Sequence, residues 1–189
     1  MLFTLTPSAP VDGYGEAILP LSLAKQHLRV DWAEEDELIL ALRDAAIDMV
    51  EQYCNIRLGP VAGLVAAFGA FEPKLRLGVG PAFSIVINSV SYMNAGAETT
   101  LDPSAYRLAP GGVLMPASRA CWPAADGDVT VIFDAGYPVN QAPPALIHAA
   151  RLFLGHLYLN REAVITEGVS GELSLGFMDL CNRYRVPVI

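Results

Sequence analysis

The sequence predicts an α+β fold: a helical core (short helix, long helix, long apolar helix, short C-terminal helix) with an inserted, mostly antiparallel β-rich subdomain. Three observations carry this. Residues 31–56 repeat apolar side chains with the period of an amphipathic helix, and residues 143–162 are apolar almost all round a helix. Between them, from Gly59, apolar runs shorten, gain β-branched residues and are punctuated by Gly and Pro. With 189 residues, 53% hydrophobic and 17% charged, the chain suits one sizeable folded domain, or a domain with an insertion. The expected division is an N-terminal arm at 1–20, a helical core at 21–58 and 138–189 with a C-terminal tail, and a β-rich insertion at 59–137.

Residues 1–20 read as an extended arm broken by Pro and Gly. A short helix follows in "LSLAKQHLRV", with Ser22 as the expected N-cap, since its hydroxyl can accept from an unpaired first-turn amide. Leu23, His27, Leu28 and Val30 would form its inner side. In "DWAEEDELILALRDAAIDMVEQYCNI", Leu38, Ile39, Leu42, Ala45, Ala46, Met49, Val50 and Tyr53 form one apolar stripe. Glu37, Asp44, Asp48, Glu51 and Gln52 are expected off it. Asp31 and Glu34 have capping-box spacing, and the acidic run to Glu37 suits the positive end of the helix dipole. That gives these carboxylates a structural purpose; no His, Lys or nucleophile accompanies them for acid–base work.

"SIVINSVSYM" (84–93) and "DVTVIFDAGY" (128–137) are the clearest strands. "GLVAAFGAF", "KLRLG", "YRLAP" and "GVLMP" are weaker ones. Turns are expected at Asn94–Gly96, at Gly111-Gly112 and at Asp126-Gly127, the last with the positive φ angles of a tight hairpin. Helix returns at Pro143-Pro144, where a missing amide costs little. His148, Arg151, Gly155 and Glu162 outline a narrow polar stripe on an otherwise apolar helix, so neighbours are expected on several sides. Gly155, unfavourable in a helix interior by about 1 kcal/mol against Ala, points to a close approach. "EAVITEGVSGELSLG" reads as a flexible connection, "GFMDLCNRYR" as a last short helix, and the proline of "VPVI" as its stop.

Several chemistries are disfavoured. A formal charge of −8 lacks the basic footprint of a nucleic-acid-binding domain. Cys54, Cys121 and Cys181 are widely spaced and odd in number, so free, buried or partly buried thiols in a reducing compartment are expected rather than a zinc ribbon or disulfide framework. "GYGEAI" lacks the third glycine of a dinucleotide fingerprint, and "GVSGE" fails the nucleophile-elbow pattern at Glu172. His148 and His156, eight residues apart, project about 80° apart on a regular helix and do not make a local metal site. Arg161 and Glu162 read as a salt-linked helix end. The N-terminus has no basic signal-peptide region, and no run reaches the ~18 apolar residues of a spanning helix. A soluble protein made in a cytoplasm is expected, with no cofactor, no metal and no membrane.

Taken in order, these segments resemble the head–tail connector (adaptor) proteins of long-tailed bacteriophages and gene transfer agents. "LSLAKQHLRVDWAEEDELILALRDAAIDMVEQYCNIRL" is similar to that family's N-terminal signature, carried by His27 to Asp31, Ala45-Ala46, Glu51, Tyr53 and Arg57-Leu58. "YRL" (106–108), "DAGYP" (134–138), "PPALIHAARLFLGHLYLNRE" and "GFMDLCNRYR" resemble its middle, third-helix and closing segments. The long 59–137 insert departs from the shorter members and from a simple all-helical fold. The resemblance implies a non-enzymatic structural subunit in the particle neck. Such a subunit forms a ring of about twelve copies beneath the portal, extends the DNA channel and docks a stopper or tail-completion protein. It also implies a portal-contacting C-terminus, here Arg183, Tyr184, Arg185, Val186, Pro187, Val188 and Ile189. Double-stranded DNA would pass without specific binding, which suits net negative charge because tight phosphate binding opposes sliding. The alternatives are a stopper or tail-completion protein of the same neck, and a small cytosolic enzyme with scattered residues such as His27, Asp102 and His156.

Overall fold

The computed structural model describes residues 3–6, 13–118, 120–160 and 175–186. The fold is α+β, several helices with an antiparallel β region inserted between them in sequence. The chain forms two compact units, Asp12–Gly59 with Pro138–Arg185, and Met1–Val11 with Pro60–Tyr137 and Val186–Ile189.

The helical unit contains α1 (Tyr14–Ile18), α2 (Leu21–Leu28), α3 (Asp36–Cys54), α4 (Pro144–Leu159) and α5 (Leu175–Asn182). α3 and α4 pack together, and α2 and α5 each touch both. From α4, Leu146, Ala149, Ala150 and Leu154 are fully buried; Ile39, Ala46, Val50 and Cys54 are their counterparts on α3. Removing a Leu or Ile side chain from water contributes about 1.5–3 kcal/mol, and the small Ala side chains allow close helix approach. Pro143 is the N-cap of α4 and Pro144 its first residue, as expected. His148 and His156 are exposed, while Arg161 and Glu162 lie outside the described residues.

The α3 stripe differs from the amphipathic expectation. Arg43 and Glu51 are buried, each 5% exposed, and Ala45 is exposed. The buried face runs Ile39, Arg43, Ala46, Ile47, Val50, Glu51, Cys54, because both charges find fixed hydrogen-bonding partners. The capping expectations also change. Pro20 is the N-cap of α2, and Ser22 is exposed within the helix. Glu16 Oε2 instead accepts from Leu21 N–H at 3.0 Å. Leu23 is 39% exposed; Ala24 and Val30 are the buried residues of that segment. α3 starts after Glu35 with no side-chain cap bond, so Asp31 and Glu34 form no capping box. Lys25 Nζ fixes this entry by donating to Trp32 O (2.6 Å) and to Asp36. α2 and α3 both end on left-handed residues, Arg29 and Asn55.

The β unit holds β1 (Phe3–Thr6), β2 (Val61–Phe68), β3 (Leu75–Arg76), β4 (Val86–Asn94), β5 (Ala97–Thr100), β6 (Tyr106–Ala109), β7 (Val113–Pro116) and β8 (Val129–Ala135). An antiparallel sheet runs β1-β2-β8-β4-β5, and a smaller one runs β3-β7-β6. Alternate residues of β8, Val129, Val131, Phe133 and Ala135, face the core with Leu64, Ala66, Phe68, Val90 and Leu114. Phe71 stacks on Trp122 at 4.8 Å, and the Trp122 indole donates to Glu72 O at 2.6 Å. The expected arm contains the edge strand β1 and the helix α1.

Ala95 and Gly96, both at positive φ, close the β4–β5 hairpin, and Gly111 and Gly112 turn β6 into β7. Asp126-Gly127, by contrast, has no positive φ. Its contribution is different: Asp126 Oδ2 accepts from Ala95 N–H at 2.7 Å, bracing the hairpin turn. A Cβ on Gly127 would lie 3.0 Å from Met93 Cβ, so close packing favours glycine there. β2 and β4 each bulge against β8. Asp134 Oδ1 joins both irregularities, accepting from Gly63 N–H (2.9 Å) and from Asn88 Nδ2 (2.7 Å).

Candidate functional site

The C-terminal candidate residues follow directly from α5, so the seat of α5 determines where they start. Phe177 is 1% exposed and lies between Tyr53 of α3 (ring centroids 5.5 Å, edge-on) and Phe153 of α4 (5.6 Å). Tyr53 uses its whole side chain. Its edge meets Phe177, its hydroxyl donates to Asn182 Oδ1 at 2.9 Å, and its face carries the Arg185 guanidinium at 5.2 Å from the centroid. A cation over an aromatic face contributes about 0.5–1 kcal/mol at an exposed site.

α5 ends in a turn in which Tyr184 N–H donates to Cys181 O at 2.9 Å. Arg183 and Arg185 are exposed, and Tyr184 and Val186 are half-buried. The structure thus presents two guanidinium groups at the exit of a helix packed in the core. Pro187, Val188 and Ile189, predicted with them, lie outside the described residues, as does most of the expected "EAVITEGVSGELSLG" connection.

Two charged clusters, centred on the buried Arg43 and Glu51, hold the other elements of the helical unit in place. Arg43 Nη1 donates to Glu16 Oε2 at 2.7 Å and to Leu19 O at 3.5 Å, and Arg43 Nε donates to Asp44 Oδ1 at 2.9 Å. Gly15 passes directly over this cluster; a Cβ there would sit 2.0 Å from Asp44 Oδ1. Glu51 accepts from the Tyr14 hydroxyl, from Leu58 N–H at 2.6 Å and from Arg57 Nη1 at 3.1 Å. Tyr14 in turn accepts from Gly59 N–H at 3.0 Å. Burial pushes the Glu51 carboxyl above its ordinary range, and burial with the adjacent Glu51 pushes the Tyr14 phenol far up. These groups are consumed in fixing the helix exits. Tyr14 and Glu16 reach Glu51 and Arg43 from far along the chain, and no local motif announces those pairings.

The scattered candidates for chemistry each have a separate local role. Asp102 accepts from Ser104 N–H (2.8 Å) and from its hydroxyl, capping a short 3-10 turn in the β unit. Those bonds hold its carboxyl below the usual range. His27 faces α4, where its Nε2 lies 3.5 Å from the position of a Cβ on Gly155. Burial, followed by the charges of Arg151 and His148, lowers its pKa. Gly155 therefore does mark an approach, by His27, though at ordinary contact distance. His156 stacks on Phe153 at 5.9 Å and stands beside Asn160. Cys54 and Cys181 are buried, whereas Cys121 is exposed, contrary to the expectation of a buried or partly buried thiol. Among the described residues, no cluster of three or more His, Cys, Asp or Glu is placed to hold a metal ion, and no helix is long and apolar enough to cross a membrane.

No family model matches the sequence, and no curated protein matches it. Solved structures do match. A chain in the neck of an empty GTA particle computed with C6 symmetry is 24% identical, with a TM-score of 0.75 over 100% of this chain and 97% of that one. A chain in the virion of a native gene transfer agent particle is 22% identical with a TM-score of 0.73, at the same coverage of both chains. A chain in the neck of the native particle computed with C12 symmetry is 22% identical with a TM-score of 0.70, again over 100% and 97%. At these identities the likeness is one of fold, and it extends over the whole chain.

Proposed function

We propose that this chain is a structural, non-enzymatic subunit of the neck of a gene transfer agent or tailed-phage particle, acting as the head–tail connector. The observation that carries this is the full-length fold likeness to chains from particle necks, combined with the ordered connector-like segments of the sequence. In this role the subunit forms a closed ring through head-to-tail contacts, of about twelve copies. The ring extends the DNA channel beneath the portal and offers its far side to a stopper or tail-completion protein. Residues 21–58 and 138–189 serve as the connector core, and 59–137 as an insertion specific to longer members.

Portal contact is assigned to the C-terminus, Arg183 to Ile189. The exposure of Arg183 and Arg185 beyond the docked α5 supports this, since rim charges of this kind steer and orient partners. A charge of −8 fits a channel wall that DNA passes without gripping. A stopper role in the same neck is the second possibility.

Electron microscopy of the purified chain mixed with its cognate portal tests the assignment. A ring seated on the portal is the expected result. Binding to an assembled connector but never to a bare portal would move the chain to the stopper position. Density at the tail tip with none at the neck would end both. The isolated chain should also leave a DNA duplex unretarded at low salt.

A further inference from the structure

Cys54, the last residue of α3, and Cys181, in the last turn of α5, are 127 positions apart in sequence and adjacent in the fold. Both side chains are fully buried. The Cys54 thiol donates to Cys181 O at 3.5 Å, which sets the two cysteines side by side. The neighbouring Tyr53–Phe177 and Tyr53–Asn182 contacts fix this register of α5 on α3. The remaining cysteine, Cys121, is exposed in the β unit.

We propose that Cys54 and Cys181 are a dithiol–disulfide pair, whose oxidation staples α5, and the tail beyond it, to the end of α3. A small disulfide such as oxidised glutathione serves as the oxidant. The Cys54 thiolate attacks one glutathione sulfur, forming a mixed disulfide and releasing one glutathione thiolate. Cys181 then loses its proton, attacks the Cys54 sulfur and releases the second thiolate. Two electrons pass from the protein thiols to the glutathione disulfide, and the two thiol protons end on the two glutathione thiols.

Pairing with Cys181, aided by the charge of Arg185, brings the Cys54 thiol below its ordinary range despite burial; the same pairing pushes Cys181 up. Access comes from opening of α5, an eight-residue helix held by one face. The staple rests on the contact between the two buried cysteines. Its use rests on the neck assignment: a chain assembled in a reducing cytoplasm and working in a released particle meets both redox conditions in turn.

The test uses the full chain with Cys121→Ser, incubated with oxidised glutathione, with a maleimide run in parallel to show when the thiols become accessible. The expected product is a Cys54–Cys181 cross-linked peptide, two hydrogens lighter than its parts, with the Tm raised by roughly 5–10 °C and restored by reductant. Cys54→Ala and Cys181→Ala should abolish the shift; if either fails to fold, the reduced parent chain is the control. Recovery of glutathione adducts alone, thiols that resist both reagents, or a cross-link that lowers the Tm would each overturn the proposal. Portal binding of the oxidised and reduced forms is read separately. Loss of binding in both forms would count against the neck assignment and leave the staple standing.

Discussion

Tyr14 donates its phenolic proton to Glu51, a carboxylate that is only 5% exposed on the inner side of α3. The same carboxylate receives Leu58 N–H and Arg57, and Tyr14 receives Gly59 N–H. The helix exit and the start of α1 are therefore tied through one buried group. Tyr14→Phe removes a donor from Glu51 and the acceptor of Gly59 N–H together. A buried polar group left unmatched costs about 1–3 kcal/mol, and chemical denaturation should show a loss of that size.

The pH dependence has a defined sign. Burial raises the folded pKa of Glu51 above its unfolded value, against the pull of its hydrogen bonds. The folded chain then holds the proton more tightly than the unfolded chain. The contribution is fully present below the unfolded pKa, near 4.5, and is lost as pH rises through the folded pKa. Glu51→Gln should abolish this decline. Tm profiles between mild acid and neutrality check it, and parallel profiles for parent and variant would contradict it.

Two helical glycines should respond to alanine in opposite directions. At Gly15 a Cβ would lie 2.0 Å from Asp44 Oδ1 and 2.7 Å from Arg43 Nη2, so Gly15→Ala must displace the buried Arg43 from its partners. Glu16 and Asp44 are more than half exposed, so the loss should be about 1–3 kcal/mol, chiefly from leaving the buried Arg43 with fewer partners. At Gly155 the nearest atom is His27 Nε2 at 3.5 Å, an ordinary contact. Gly155→Ala should therefore stabilise by about 0.5–1 kcal/mol through helix propensity. Equilibrium unfolding of the two variants side by side gives both signs.

The difference between these glycines could not be read from the sequence, and the same holds for much of the helical unit's interior. α4, β4 and β8 were legible because apolar side chains carry their period. β5, Ala97–Thr100, is exposed at every position and has no hydrophobic signal; pairing with β4 alone makes it a strand. Glu51 reads as outward-facing because charge is expensive to bury, yet it and Arg43 are both buried. They are held by Glu16 and Tyr14, which arrive from elsewhere in the chain, together with the nearby Asp44 and Arg57. The last short helix was legible, yet its seat on Tyr53 and Cys54 depends on contacts across well over a hundred residues.

Asp134 gives a prediction for the β unit. Its Oδ1 accepts from Gly63 N–H and from Asn88, one in each bulge flanking β8. Asp134→Ala should cost about 1–3 kcal/mol, since two hydrogen bonds to one charged group are lost at a partly solvated site. Asp134→Asn retains an acceptor oxygen and should recover part of the loss. Amide exchange should quicken at Gly63 in the Ala variant; protection unchanged there would show that the bulge holds itself.

The tail assignment separates stability from partner binding. Arg185 stacks on Tyr53, so Arg185→Ala should lower stability by about 0.5–1 kcal/mol. Arg183 is exposed, and Arg183→Ala should change stability by less than about 0.5 kcal/mol. If both guanidinium groups meet the portal, each variant weakens portal binding, and only Arg185→Ala also lowers the Tm. Deleting residues 183–189 should abolish portal binding while leaving the packed Phe177 and Cys181 in place. Binding measured on immobilised portal, with Tm taken on the same preparations, distinguishes a docking tail from a merely structural one. A truncated chain that binds portal as the parent does would remove the tail from the interface.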